Sequence, residues 1–225
     1  QGAIASTIAD PGNPPPPTQP PFRDDEVAAL FISAGELLSE AHGTLETPLN
    51  PDSDQFLTLA QAIRTKVTDD QIARLVAQVR IPDLVRSPGQ HRGNVVRISG
   101  RLIDLAANPV TVKTSSGLRV IYDGFIADPG DRHPIQFFIA DRPAGELKTV
   151  AWRDQQFMNE TVEIDAIFLR IYRYRGKSID PEAEGPVRTV PVFVARSMRV
   201  QPRVPAPDRR FEFAVLISAA CVGLV

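Results

Sequence analysis

Residues 161–174, TVEIDAIFLRIYRY, and 187–200, VRTVPVFVARSMRV, decide the fold. In the first, Val162, Ile164, Ala166 and Phe168 recur at every second position, the spacing that returns side chains to one face of an extended chain. In the second, Val190, Val192, Val194, Met198 and Val200 are expected to share a face in the same way. Three earlier segments carry the same period: 94–105, 118–128 and 135–140. In 94–105 the apolar positions are Val96 and Ile98 before Gly100, then Ile103 and Leu105 after it, so a bulge at Gly100 is expected. Five half-buried strands that hide one face are best satisfied by a sheet closed on itself. The polar stretch 141–159 between the third and fourth strands leaves room for a short helix near 150–158, with Trp152 as a buried anchor. Ser115, Ser116 and Gly117 read as a hairpin turn.

Upstream of the strands the period lengthens to three and four. Val27, Leu30, Phe31, Ala34, Leu37, Leu38 and Ala41 fall on one helical face, with Asp24, Asp25 and Glu26 at its start and Gly43 just past its end. A second helix is expected from near Asp52, burying Phe56, Leu59, Ala60 and Ile63. A third is expected from Thr68, whose spacing to Gln71 is that of a capping box, ahead of Ile72, Leu75, Val76 and Val79. Pro82, Pro88 and Gly89 are expected to end the helical region. The expected class is therefore α+β, a small helical bundle followed by a five-stranded β-barrel with an apolar C-terminal segment.

The expected organisation is a proline-rich disordered linker over 1–23, a helical domain over 24–88, the barrel over 89–203, and a linker leading into a transmembrane helix over 204–225. Residues 1–22 hold Pro11, Pro14 to Pro17, Pro20 and Pro21 with almost no large apolar side chain, so burial cannot offset their chain entropy. At the other end, Pro202, Pro205 and Pro207 lead to Arg209, Arg210 and a run over 213–225 that is apolar apart from Ser218 and Gly223. That run covers about 20 Å as a helix against a hydrocarbon core of about 30 Å, so it is expected to be part of a longer membrane-spanning helix.

Five strands, a first strand kinked at glycine and a helical third connection resemble the oligonucleotide/oligosaccharide-binding (OB) fold over residues 92–203. The stretch from Val162 through Tyr172 and Tyr174, then Pro191 to Arg196, is also similar to uncharacterised envelope proteins of planctomycete-type bacteria, in which a barrel precedes a membrane anchor. The resemblance implies architecture only, and no activity. The expected location is the cell envelope, with the chain membrane-anchored and its soluble part outside the cytoplasm.

Composition excludes more than it assigns. With 43% hydrophobic residues the chain can bury a substantial core, and its formal net charge of −2 offers no bulk attraction for nucleic acid or acidic lipid. The lone Cys221 cannot form an internal disulfide, and His42, His91 and His133 fall in separate segments without metal-ligand spacing. Neither a nucleophile elbow nor a phosphate-cradling glycine loop is present, so no catalytic residue, metal or cofactor is expected.

The candidate ligand-binding residues are Arg170, Tyr172, Arg173, Tyr174 and Arg175, a run that interleaves cations and aromatic rings as single-strand binders do. Strand parity divides it, with Arg170, Tyr172 and Tyr174 on one face and Arg173 and Arg175 on the other. Arg92, Arg97 and Arg101 would extend the patch if they faced the same way, while Asp180, Glu182 and Glu184 would neutralise it if they folded back. The expected function is a non-enzymatic, membrane-tethered adaptor or ligand-binding module, its protein partner or small ligand unnamed by the sequence. The alternatives are a single-stranded nucleic-acid binder, disfavoured by that parity, and an enzyme with a site at the helix–barrel junction.

Overall fold

Five strands form where the two-residue period is found: β1 (Val95–Pro109), β2 (Val120–Ala127), β3 (Pro134–Ile139), β4 (Thr161–Arg175) and β5 (Val187–Val200). They belong to a computed structural model that describes residues 23–37, 49–111, 117–127, 134–141, 160–175 and 186–201. The pairs β1–β2, β2–β3, β4–β5 and β1–β4 are antiparallel, and β3–β5 is parallel. Because β1 pairs with both β2 and β4, the sheet closes into a barrel in the order β1-β2-β3-β5-β4.

The barrel interior is filled by Val96, Ile98, Leu102, Leu105, Tyr122, Phe137, Phe168, Phe193 and their neighbours. Phe168 and Phe193 lie directly opposite each other on β4 and β5, with ring centroids 5.4 Å apart. Fully burying a side chain of this size contributes roughly 1.5–3 kcal/mol, so this cluster contributes heavily to barrel stability.

The helices are α1 (Asp24–Leu37), α2 (Asp54–Lys66), α3 (Asp69–Leu75), α4 (Ile81–Arg86) and α5 (Pro88–His91). The expected apolar face of α2 is buried, as are Val27 and Phe31 of α1 and Ile72 of α3. These residues do not enclose a core of their own. They join Val95, Phe138, Ile167, Leu169, Val192 and Val194, which point outward from the barrel, in a single cluster. Instead of a separate bundle, α1 to α3 thus form an outer layer on β3, β4 and β5.

Polar contacts fix that layer. Arg64 Nε donates to Asp141 at 2.5 Å, Arg196 Nη1 donates to the other oxygen of Asp141 at 2.5 Å, and Arg196 Nε donates to the Val67 carbonyl at 3.1 Å. On β1, β4 and β5, Arg97 and Arg199 both donate to Asp165, at 2.6 and 2.7 Å. Burial opposes ionisation of Asp165, but these two guanidinium groups outweigh it and hold the carboxyl below its ordinary range.

The capping box at Thr68 forms as expected. Gln71 N–H donates to Thr68 Oγ1 at 3.3 Å and Thr68 N–H to Gln71 Oε1 at 3.0 Å. Thr68→Ala should therefore cost about 1 kcal/mol in a urea unfolding titration. A change below a few tenths of that would show that packing alone holds α3.

Several expectations need correction. The helix after Thr68 stops at Leu75, and Val76 pairs instead with Val95 in an isolated parallel bridge. Pro82 and Pro88 begin helical turns instead of ending them, since proline suits the first turn, whose N–H groups lack intrahelical acceptors. Through Ile81 and Leu84, α4 contributes to the barrel-interior cluster.

The bulge in β1 lies at Ile103, between Leu102 and Asp104 in its pairing with β2, and not at Gly100. Gly100 instead meets the needs of close approach: a Cβ there would lie 2.5 Å from the Ala127 carbonyl oxygen and 2.6 Å from Ile126 Cγ2. On β5, Met198 faces the interior while Val192 and Val194 face outward. The pairing with β4 inserts an extra β5 residue between Ala195 and Met198, which reverses the parity.

Residues 142–159, with Trp152 and the expected helix, lie outside the described residues, as do the linker over 1–22, Ser115, Ser116 and the apolar tail. Among the described residues no helix is long and apolar enough to cross a membrane.

Candidate ligand pocket

On β2, Tyr122 and Ile126 point into the barrel, so Asp123 and Phe125 stand on the outer face. On β3, Ile135, Phe137 and Ile139 point inward, which places Gln136 and Phe138 outside. These four outward residues line a cavity of about 660 Å³. Tyr172 and Tyr174 from the end of β4, Val190 of β5, Asn108 and Pro109 from the end of β1, and Leu49, Pro51 and Asp52 ahead of α2 complete its lining.

The segment ahead of α2 is held at the cavity edge by identifiable contacts. Phe56 packs edge-on against Phe138, with ring centroids 5.1 Å apart. Ser53 caps α2 by accepting from Phe56 N–H, and Asp52 accepts from the Thr111 hydroxyl at 2.8 Å, which ties this segment to the exit of β1. Opposite, Tyr172 and Tyr174 stack on each other, 5.5 Å between centroids and 19° between planes. They share a face because they are two residues apart in one strand.

Asp123 is the chemically unusual member, a carboxylate only 6% exposed in a largely aromatic and apolar wall. Gln136 Nε2 donates to its two oxygens at 3.1 and 3.3 Å. Burial pushes its carboxyl up to about 7, against the hydrogen bonds from Gln136 and with help from the charge of Asp104. Asp104 sits diagonally across β1 from Asp123, since Asp104 pairs with Phe125 and Ala106 pairs with Asp123. Burial raises its carboxyl as well, against a backbone hydrogen bond at Phe125. Both acids are costly to ionise, and a cation brought to this face would relieve that cost.

The residues expected to bind ligand separate in the fold. Tyr172 and Tyr174 line the cavity. Arg170 lies on the same outward face of β4 but is buried, at 6% exposure, and does not line it. Arg173 is exposed. Arg175 ends β4 opposite Val187, and its side chain lies outside the described residues together with Asp180, Glu182 and Glu184. Arg97 is held by Asp165, seven residues along β4 from Tyr172, or roughly 23 Å at the rise of a strand. The arginines of β1 therefore do not extend a patch around the tyrosines. Among the described residues no group of three His, Cys, Asp or Glu side chains is placed to hold a metal ion.

Asp123, Gln136, Phe125 and Phe138 were not singled out in the sequence. The available signal was a carboxylate between aromatic residues inside a strand, Tyr122-Asp123-Gly124-Phe125, where a surface strand would place acids with other polar residues. No protein-family model matches this chain, and no curated protein matches it.

Proposed function

We propose that this chain is a non-enzymatic ligand-binding module whose OB-like barrel receives a small ligand in the cavity on the outer face of β2 and β3. The carrying observation is where the cavity lies. OB barrels bind on the face of strands 2 and 3, between the β1–β2 and β4–β5 connections. Here the lining runs from Asn108 and Pro109, at the start of the first connection, to Tyr174 and Val190, which flank the second. The closed strand order and the parallel β3–β5 pair support the same likeness. A pocket of a few hundred cubic ångströms, mostly apolar with a few convergent polar groups, is the usual form of a small-molecule site.

The apolar run over 213–225 supports the further reading that the module works tethered to a membrane in the cell envelope. Partition of the full chain onto liposomes, lost on truncation after Arg203, would support it. Nucleic acid is the second reading, favoured by the stacked tyrosine pair and disfavoured by Asp52, Asp104 and Asp123 on the same face.

The test is an amide NMR titration with a panel of small sugars, amines, carboxylates and an oligothymidylate. Compounds that bind should shift the signals of Phe125, Gln136, Phe138 and Tyr172, and Tyr174→Ala should weaken them at least fivefold without changing the fold. If every binder perturbs another surface, the pocket reading fails. Submicromolar oligothymidylate binding at physiological salt, falling steeply as salt rises, would put nucleic acid first.

A further inference from the structure

Among the described residues, the charged side chains that line this cavity are of one sign: Asp123 and Asp52 contribute carboxyl groups, Asp104 adds a third on the same face, and no described lysine or arginine lines it. Around these acids stand the rings of Phe125, Phe138, Tyr172 and Tyr174. A phosphate or carboxylate ligand would meet these carboxyl groups with no cation among the described lining residues to receive it. A purely apolar ligand would fill the space yet leave Asp123 covered and without a counter-charge. A positively charged nitrogen on an apolar body answers both features, since aromatic faces attract cations and a desolvated carboxylate interacts strongly with one.

We infer that the pocket selects organic ammonium compounds, with the nitrogen held between Asp123 and the aromatic rings and the apolar part lying along Phe125, Phe138 and Val190. This rests on the pocket reading above and narrows its ligand class. Binding should favour ionised Asp123, so affinity should rise with pH across the range where its buried carboxyl titrates. Among the described residues, the groups facing Asp123 are Asp104 from β1, Gln136 from β3, the phenols Tyr172 and Tyr174 from β4, and Asp52 ahead of α2. Val190 of β5 is uncharged, and Arg170 lies buried on the same face outside the lining. Among these, Asp104 titrates in the same direction as Asp123 and strengthens the trend.

The experiment uses the full chain and two probes of nearly equal shape: choline, and 3,3-dimethylbutan-1-ol, in which carbon replaces the charged nitrogen. Both are titrated by amide NMR at pH 8 and pH 5.5. Choline should bind at least tenfold more tightly than the alcohol at pH 8 and lose at least fivefold at pH 5.5, with shifts centred on Phe125, Gln136 and Tyr172. Asp123→Asn should remove most of the preference and most of the pH dependence, leaving the smaller shares of the aromatic rings and Asp104, while Tyr172→Ala should weaken choline at either pH. Equal binding of the two probes at these residues would overturn the ammonium assignment and leave the pocket reading standing. So would tighter binding there of inorganic phosphate, or binding there of another class from the panel while choline is silent. Should no compound of any class perturb these residues, both readings fail. The pH comparison on the native chain keeps the test informative even if a variant folds poorly.

Discussion

Asp123→Asn should stabilise the protein at neutral pH and flatten its stability profile between about pH 4 and pH 7. In the folded chain the carboxyl titrates at about 7, against 3.8 for the unperturbed group. A folded-state value above the unfolded one means that the native protein holds a proton which the unfolded chain has released. Stability therefore falls as pH rises from about 4, and the full loss is present above about 7. A shift of this size corresponds to an upper bound of roughly 4 kcal/mol, which relaxation around the group reduces. Asparagine keeps the shape without the charge, and Gln136 can turn its amide so that Oε1 accepts from the new Nδ2. Asp24, Asp83 and Asp165 have lowered values, so their contributions are present above about pH 4 and lost below it, outside this window. The measurement is urea unfolding of both proteins at half-unit steps from pH 4 to pH 8.5. Parallel profiles would show that Asp123 ionises in the folded chain as it does in water.

Gly100→Val should lower stability by at least about 3 kcal/mol, at or beyond the upper end of ordinary overpacking. Gly100 lies where β1 changes partners: residues up to Arg101 pair with β4, and those from Arg101 onward pair with β2. To make that transfer the strand passes so close to the end of β2 that a side chain would meet the Ala127 carbonyl, which is backbone and cannot swing aside. Gly100→Ala should cost about 1–3 kcal/mol by the same contact. Gly89→Ala is the control, with nothing within 4 Å of its added Cβ, and should stay within about 0.5 kcal/mol of the native protein. Urea midpoints compared at equal slope decide it. A Gly100→Val protein as stable as the Gly89→Ala control would remove the close-approach account of this glycine.

The strands were legible because alternation survives wherever one face meets the barrel interior, and the bounds of β4 and β5 differ from the expected ones by at most one residue. Face assignments were less legible. On β5 the outer layer buries Val192 and Val194 while the interior buries Phe193 and Ala195, so residues on both faces are apolar and the parity of the valines does not tell which face is the interior. A bulge in such a run leaves no compositional mark, which is why the reversal before Met198 passed unseen. In β1 the same difficulty moved the expected bulge from Ile103 to Gly100. Leu102, apolar and fully buried, was the residue that spoke against a flip at the glycine. Of the candidate site, Tyr172 and Tyr174 were the residues read from a local pattern, because they stand two apart in one strand.

By itself the sequence determined the local order: which segments extend, which coil into helices, where Thr68 and Gln71 start a helix, and which aromatic pair shares a face at the end of β4. Each of these follows from interactions within a few residues, through side-chain period, capping geometry and backbone preference. The tertiary structure alone decided the strand order, the docking of α1 to α3 on the outside of the barrel and the environment of Asp123. Those depend on residues far apart in the chain. Asp123 is one aspartate among many until β1, β3, β4 and the segment ahead of α2 close around it, remove its water and set aromatic rings beside it. Desolvation is a property of everything that surrounds a group, and no local stretch of sequence carries it.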